Sequence, residues 1–72
     1  MTIDFHGWLL SDAENELHRI IGDVRSEGRK EQIHFVTGIG KHKQQVLEIA
    51  GYYGLQADEQ WGNPGCVVVN VE

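Results

Sequence analysis

The sequence predicts an α/β fold, an α+β sandwich in which a mixed four-stranded sheet carries two helices on one face. Apolar residues follow strand spacing or helical spacing in the order β-α-β-α-β-β along the 72 residues. The strand–helix–strand connections place parallel strands side by side. The last two strands are separated by a short glycine-containing turn, which favours an antiparallel hairpin. A chain of this length forms one small domain, residues 1–72.

The first strand is predicted over Thr2–His6, where apolar and polar residues alternate strictly. Ile3 and Phe5 face one side of this strand. Asp4 and His6 face the other side, because successive side chains of a strand point in opposite directions. The pattern therefore places a carboxylate and an imidazole next to each other on one strand face.

The first helix is predicted from Ser11 to about Glu27. Ser11 and Glu14 match the spacing of a capping box, in which the serine is the N-cap. Gly28 is expected just beyond the C-terminus, where a left-handed residue often ends a helix. Apolar residues follow at helical spacing and form one stripe: Ala13, Leu17, Ile20, Ile21 and Val24.

The remaining elements follow from the same patterns. They are a strand at about Gln32–Val36, a helix around Gln44–Ala50 that ends at Gly54, a strand over Leu55–Trp61, a turn at Gly62–Gly65 and a strand over Cys66–Val71. The last strand is rich in valine, which suits a buried strand. Trp61 and the other tryptophan, Trp8, are expected to pack at the margin of the sheet, with stacking on unpaired bases as the alternative.

The segment Thr37–Lys43 is the most informative stretch, because it contains two glycines between a predicted strand and a predicted helix. Backbone N–H groups at a helix N-terminus lack partners, and the helix dipole favours negative charge there. Such a turn predicts an anion site whose N–H groups point outward. Lys41, His42 and Lys43 add side-chain charge at the same place, and positions 32–47 contain no acidic residue.

The predicted topology places this turn beside the end of the first strand. Parallel neighbours have their carboxyl ends at the same edge of a sheet, and ligands of open α/β sheets bind outside that edge. We therefore expect Asp4 and His6 to lie near the turn. A second group of cations, at the end of the first helix, is expected near the opposite edge: Arg25, Arg29 and Lys30.

Composition limits the classes of function. The net charge of −5 argues mildly against a nucleic-acid partner, although the local distribution of charge matters more. Cys66 is the only cysteine, which excludes an internal disulfide and a cysteine-based zinc site, and we expect it to be a buried core residue. No apolar run approaches the length of a membrane span, and no basic-then-apolar leader is evident. A reducing, cytoplasmic setting is expected.

Three motifs resemble those of the Smr (small MutS-related) domain family. Ile3–Gly7 (Ile-Asp-Phe-His-Gly) resembles the Leu-Asp-x-His motif that opens this domain. Thr37–Gly40 (Thr-Gly-Ile-Gly) resembles its second motif, His/Thr-Gly-x-Gly. Gly65–Val69 resembles its closing glycine followed by a β-branched strand. The motifs occur in the family's order and extend over nearly the whole chain.

The resemblance implies a fold similar to the C-terminal domain of bacterial translation initiation factor 3. It also implies nucleic-acid binding and, in several members, endonuclease activity on DNA or RNA. Carried over by position, Asp4 and His6 correspond to the Asp and His of the first motif, and they are the catalytic residues that the resemblance implies. The nucleic-acid-binding positions are expected in the turn: Thr37, Gly38, Gly40, Lys41 and Lys43. Thr37 occupies a position where many members carry His, which removes one candidate proton-transfer group.

Three hypotheses follow. The first is a domain that binds nucleic acid and nicks it, with a role in DNA repair or RNA processing. In this hypothesis His6 manages the proton, and Asp4 orients His6 or positions a water or a metal. The second is a nucleic-acid-binding module without catalysis. The third is a protein-interaction domain, or a domain detached from a larger chain. No metal ligands are assigned, and dependence on Mg²⁺ or Mn²⁺ is left open.

Overall fold

The computed structural model describes residues 1–72. The elements are β1 (Thr2–Asp4), α1 (Leu10–Ser26), β2 (Glu31–Val36), α2 (Lys41–Tyr52), β3 (Gln56–Gln60) and β4 (Asn63–Val71). The strands form one four-stranded sheet in the order β1-β2-β4-β3. β1 is parallel to β2, whereas β4 is antiparallel to both of its neighbours. The predicted fold, a mixed sheet with two helices, is confirmed.

Strand alternation divides the sheet into a face that packs on the helices and a face that does not. Ile33 of β2 pairs with Val69 of β4, and both are fully buried. The adjacent pair, His34 and Val68, points to the other side and is half-buried. The buried face of the sheet and the apolar sides of both helices form one core cluster. Its helical members are Ala13, Leu17, Ile20, Ile21, Val24, Val46 and Ala50.

The apolar stripe predicted for α1 is confirmed, but the predicted cap is wrong. α1 begins at Leu10, with Leu9 in the cap position and no side-chain hydrogen bond to the exposed N–H groups. The N–H of Ala13 already donates to the carbonyl of Leu9 at 3.0 Å, so Ser11 is a helical residue rather than the N-cap. At the other end, Gly28 adopts φ +67°, as expected for a residue that terminates a helix.

Two other elements begin earlier than the sequence indicates. α2 begins at Lys41 instead of Gln44, so both lysines of the turn belong to its first turn. β4 begins at Asn63, because Gln60 pairs with Asn63 and leaves only two residues for the hairpin turn. The second of these is Gly62, with φ +77°.

The strand directions bring several connections to one edge of the sheet. β1, β2 and β3 run in the same direction, and β4 runs against them. The carboxyl ends of the three strands therefore lie at one edge, which we call the carboxyl edge. It carries the connections 5–9, 37–40 and 61–62, and α2 starts there. α1 ends at the opposite edge, where β2 begins.

Candidate functional site

The turn between β2 and α2 is built partly from left-handed backbone. Gly38 adopts φ +69°, a conformation that favours glycine. Gly40 has φ −88°, so the left-handed geometry is confined to the first glycine. The hydroxyl of Thr37 donates to the carbonyl of Gly38 at 2.8 Å, and the Thr37 side chain is largely buried. Thr37 therefore stabilises the turn, and its hydroxyl proton is already donated within the protein.

Two N–H groups of the turn are not available to a ligand. The carbonyl oxygen of Gly65 accepts from the N–H of Thr37 at 2.9 Å and from the N–H of Gly38 at 3.0 Å. Several unpaired amides are expected in this turn, and these two are not among them. The reason is a contact with β4, which sequence spacing does not reveal.

The next amides along the chain do lack partners. The N–H groups of residues 39–43 donate to no backbone or side-chain acceptor in the protein, and no side chain caps α2. The first turn of α2 contains no acidic residue. The side chain of Lys41 is exposed and forms no ion pair. Three features that suit an anion thus coincide at 39–43, namely N–H donors without acceptors, the helix dipole and one cation.

The ammonium group of Lys43, unlike that of Lys41, is not free to contact a ligand. Its ammonium group forms an ion pair with the carboxylate of Glu59 in β3, and its side chain is only 13% exposed. Residues 32–47 include no Asp or Glu, but the fold places the carboxylate of Glu59, from the β3–β4 hairpin, next to this segment. Lys41 and Lys43 border a common depression with Ile39, but only Lys41 has an unpaired charge.

The first and second motifs lie next to each other at the carboxyl edge, as expected. A groove of about 260 Å³ is bordered on one side by Asp4 and His6 and on the other by Thr37 and Gly38. β1 and β2 are directly paired, with Asp4 opposite Val36, so the ends of the two strands are neighbours. The two motifs therefore form opposite walls of one groove.

Within this groove, Asp4 and His6 do not interact as expected. β1 ends at Asp4, and the chain turns at His6 instead of continuing as a strand. Asp4 Oδ1 accepts a hydrogen bond from the backbone N–H of His6 at 2.8 Å. The imidazole of His6 is exposed and makes no hydrogen bond within the protein. Asp4 thus stabilises the turn that carries His6 and does not orient the ring.

His42 was expected only to add charge, and its structural role in the groove was not predicted from the sequence. Its Nε2 lies 2.8 Å from the carbonyl oxygen of Trp8, to which it donates a hydrogen bond. Its ring is stacked on Phe5 at a centroid distance of 6.2 Å. Nδ1 is buried and has no hydrogen-bond partner. A proton on Nε2 fits the contact with the Trp8 carbonyl, and this hydrogen bond ties α2 to the segment after β1.

The two tryptophans of the carboxyl edge differ in exposure. Trp8 contacts Phe5 edge to face at a centroid distance of 5.1 Å, in keeping with the expected packing at the sheet margin. Trp61 lies in the β3–β4 turn and is 97% exposed, so the expectation that it packs is wrong. Asn63, two residues later, begins β4, and its Oδ1 accepts from the N–H of Gly65 at 3.2 Å.

The second group of cations lies at the opposite edge, as expected. Arg25 donates to the carbonyl oxygens of Tyr53 and Glu72, and Arg29 forms ion pairs with Glu27 and Glu31. Glu31 is the first residue of β2, which begins at that edge. These arginines are engaged in holding α1 and the strand ends together, and they add no charge to the groove.

No three His, Cys, Asp or Glu side chains of the protein cluster closely enough to hold a metal ion. Asp4 and His6 would supply two ligands at most, and one oxygen of Asp4 already accepts a hydrogen bond. Cys66 is buried, and desolvation raises the pKa of its thiol. Neither helix has the length and apolar character needed to cross a membrane.

Comparison with known protein families, with curated proteins and with solved structures finds no match for this chain. The likeness to the Smr domain therefore rests on the three sequence motifs and on the order of the elements. Two of these motifs border the groove, and Gly65 of the third binds the turn of the second. This arrangement gives each motif a structural role at the carboxyl edge.

Proposed function

We propose that the protein is a nucleic-acid-binding domain that holds a backbone phosphate at residues 39–43. The observation that carries the proposal is the set of N–H groups at 39–43 without acceptors, next to the unpaired ammonium of Lys41. Backbone amides at a helix N-terminus are well suited to phosphate oxygens, and a lysine strengthens the contact as a point charge. The resemblance of the motifs to the Smr domain supports the same choice of ligand.

The charge of the protein sets the expected strength of binding. With a net charge of −5 and a single unpaired lysine at the site, few phosphates are neutralised. Each neutralised phosphate contributes about 0.9 to the slope of log K against log salt concentration on duplex DNA, and about 0.7 on single strands. We expect a shallow slope, on the order of 1 to 2, and modest affinity.

A titration by fluorescence anisotropy tests the proposal. Labelled DNA and RNA, each single-stranded, duplex and branched, are titrated with protein at several salt concentrations between about 50 and 200 mM. Affinity should fall as salt concentration rises. Binding that is insensitive to salt would show that phosphate contact is not the driving term. No binding at all, with capture of a specific protein partner, would favour the protein-interaction hypothesis.

A second candidate function, a nicking endonuclease, is favoured by the exposed and unbonded imidazole of His6. In this reaction a water oxygen attacks phosphorus while His6 accepts the water's proton, the bond from phosphorus to the leaving oxygen breaks, and the leaving oxygen takes a proton from solvent water. The amides of 39–43 and Lys41 would stabilise the added negative charge on the phosphoryl oxygens. Asp4 would act through the turn it stabilises and would hold His6 in place.

Cleavage of supercoiled DNA and of structured RNA, with and without Mg²⁺ or Mn²⁺, tests this second candidate. His6→Ala should abolish nicking but leave nucleic-acid affinity nearly unchanged, because His6 is outside the 39–43 segment. Asp4→Ala should reduce nicking less, since it loosens the turn without removing the imidazole. Full cleavage by both variants would exclude His6 as the catalytic residue and leave binding as the function.

A further inference from the structure

We infer that the phosphate-binding site takes an unpaired strand, DNA or RNA, whose base stacks on the indole of Trp61. This inference rests on the proposed nucleic-acid binding and adds the class of ligand. It starts from the exposure of Trp61, which at 97% exceeds that of every other large apolar side chain of the protein. An indole at this position contributes almost nothing to the core, so its large flat surface is available to a ligand.

The position of Trp61 connects it to the phosphate site. β3 ends at Gln60, at the same edge of the sheet where β2 ends and α2 begins. Trp61 therefore lies on the carboxyl edge together with the unpartnered amides of 39–43. Ile39 lies between β2 and α2 and is itself 72% exposed, which adds apolar surface to the same edge.

Two contacts fix the hairpin relative to the amides. On the β3 side, Glu59 forms an ion pair with Lys43 of the first turn of α2. On the β4 side, the carbonyl of Gly65 accepts from the N–H groups of Thr37 and Gly38. The turn that carries Trp61 is thus tied on both strands to the segment that carries the amides. Because the indole and the amides are held together in this way, a single nucleic-acid strand can contact both without first ordering the site.

The chemistry of the two contacts distinguishes an unpaired strand from a duplex. In a duplex the faces of the bases are covered by their neighbours, and an indole reaches them only if the stack is opened. In a single strand the faces are accessible, and stacking on an aromatic side chain tolerates any base. Duplex binding instead depends on many cations, whereas this edge offers Lys41 beside a net charge of −5.

A substitution series tests the inference. A labelled oligothymidylate of about 12 nucleotides and a duplex of equal length are titrated by anisotropy, with an oligouridylate as the RNA arm. The unaltered protein should bind the single strands more tightly than the duplex. Trp61→Ala should weaken single-strand binding by roughly tenfold and leave duplex binding unchanged. Trp61→Phe, which keeps an aromatic face, should restore part of the affinity.

The matched control is Tyr52→Ala. Tyr52 is 83% exposed, but it ends α2 and so lies at the opposite edge of the sheet. Its removal deletes an exposed aromatic ring of similar size and should not alter single-strand affinity. Trp61 and Tyr52 are both so exposed that neither substitution should unfold the protein, which circular dichroism can check.

Fluorescence gives an independent readout. Trp8→Phe leaves Trp61 as the only tryptophan, and its emission should be quenched as single strands bind, in proportion to the anisotropy change. If no nucleic acid binds to the protein, the proposed function and the inference both fail. If nucleic acid binds but Trp61→Ala has no effect, Tyr52→Ala has an equal effect, or the duplex binds as tightly as the single strand, the inference alone fails.

Discussion

The backbone of Gly65 lies directly against that of Gly38. The N–H of Gly38 donates to the carbonyl oxygen of Gly65 at 3.0 Å, and a methyl group added to Gly65 would lie 3.5 Å from the Cα of Gly38. Two distant motifs are thus joined through main-chain atoms. The contact occupies the amides of Thr37 and Gly38, whereas the following amides, from Ile39 to Lys43, have no acceptor.

The first prediction concerns Gly38. Gly38→Ala should lower the free energy of unfolding by about 1–2 kcal/mol, because an L side chain is strained at φ +69° even though the space around it is open. Gly22→Ala is the matched control, since Gly22 lies within α1 and an added methyl group also meets nothing. It should stabilise by up to about 1 kcal/mol. Urea denaturation measures both, and equal effects would refute the explanation.

The second prediction separates the two lysines of the turn. Lys41→Ala should weaken nucleic-acid binding and reduce the salt slope by about 1, because its ammonium group is unpaired. Lys43→Ala should have a smaller effect, since Glu59 already neutralises Lys43. Lys30→Ala, at the opposite edge, serves as the control and should leave the slope unchanged. A larger loss from Lys43→Ala than from Lys41→Ala would contradict this assignment.

The third prediction follows from the same ion pair. Glu59→Gln should raise nucleic-acid affinity, because it removes a negative charge from the carboxyl edge and releases the ammonium group of Lys43. Asp58→Asn removes the same charge from the neighbouring position, where the carboxylate accepts only from Gln56. Its effect on affinity should be smaller. Equal gains from both substitutions would mean that the overall charge matters and that the release of Lys43 does not.

The fourth prediction contrasts two histidines of the groove. His42→Ala should lower the free energy of unfolding by about 1–2 kcal/mol, since it removes the hydrogen bond to Trp8 and the ring contact with Phe5. His6→Ala should change stability by less than about 0.5 kcal/mol, because its imidazole is exposed and unbonded. Thermal and urea unfolding measure both. A loss from His6→Ala as large as that from His42→Ala would assign His6 a structural role.

The fifth prediction concerns Cys66. Burial raises the pKa of its thiol, so the folded protein should keep it protonated and react slowly with iodoacetamide at neutral pH. Denaturant should accelerate the reaction, which mass spectrometry can follow. As pH rises, the unfolded chain loses this proton before the folded protein does. Stability should therefore decrease above the ordinary range of a thiol, and Cys66→Ala should lack that decrease.

The parts of the fold that depend on local pattern were predictable from the sequence. The stripe from Ala13 to Val24 is buried as its spacing indicates, because helical periodicity alone decides which face meets the core. The approach of Asp4 to Thr37 followed from the topology, since parallel neighbours end at one edge. Neither inference needed a contact between residues from unrelated elements.

The parts that were missed depend on such contacts. The pairing of Lys43 with Glu59 and the bond from His42 to Trp8 join segments far apart in sequence, and no spacing rule links them. The amide of Gly38 is satisfied by β4 in the same way. The predicted cap of α1 was wrong for a local reason, because a serine that fits a capping box can equally lie within the first turn of a helix.

The hydrogen bond between Gly38 and Gly65 also links formation of the site to the order in which the chain is synthesised. During translation, Asp4, His6 and the turn emerge well before the strand that contains Gly65. A nascent chain therefore carries most of the site's residues while their geometry is still unformed, and β4 must pair with β2 before the turn is held. The capacity to bind a ligand should thus appear abruptly, when the last strand joins the sheet, and not in proportion to the length of chain already made.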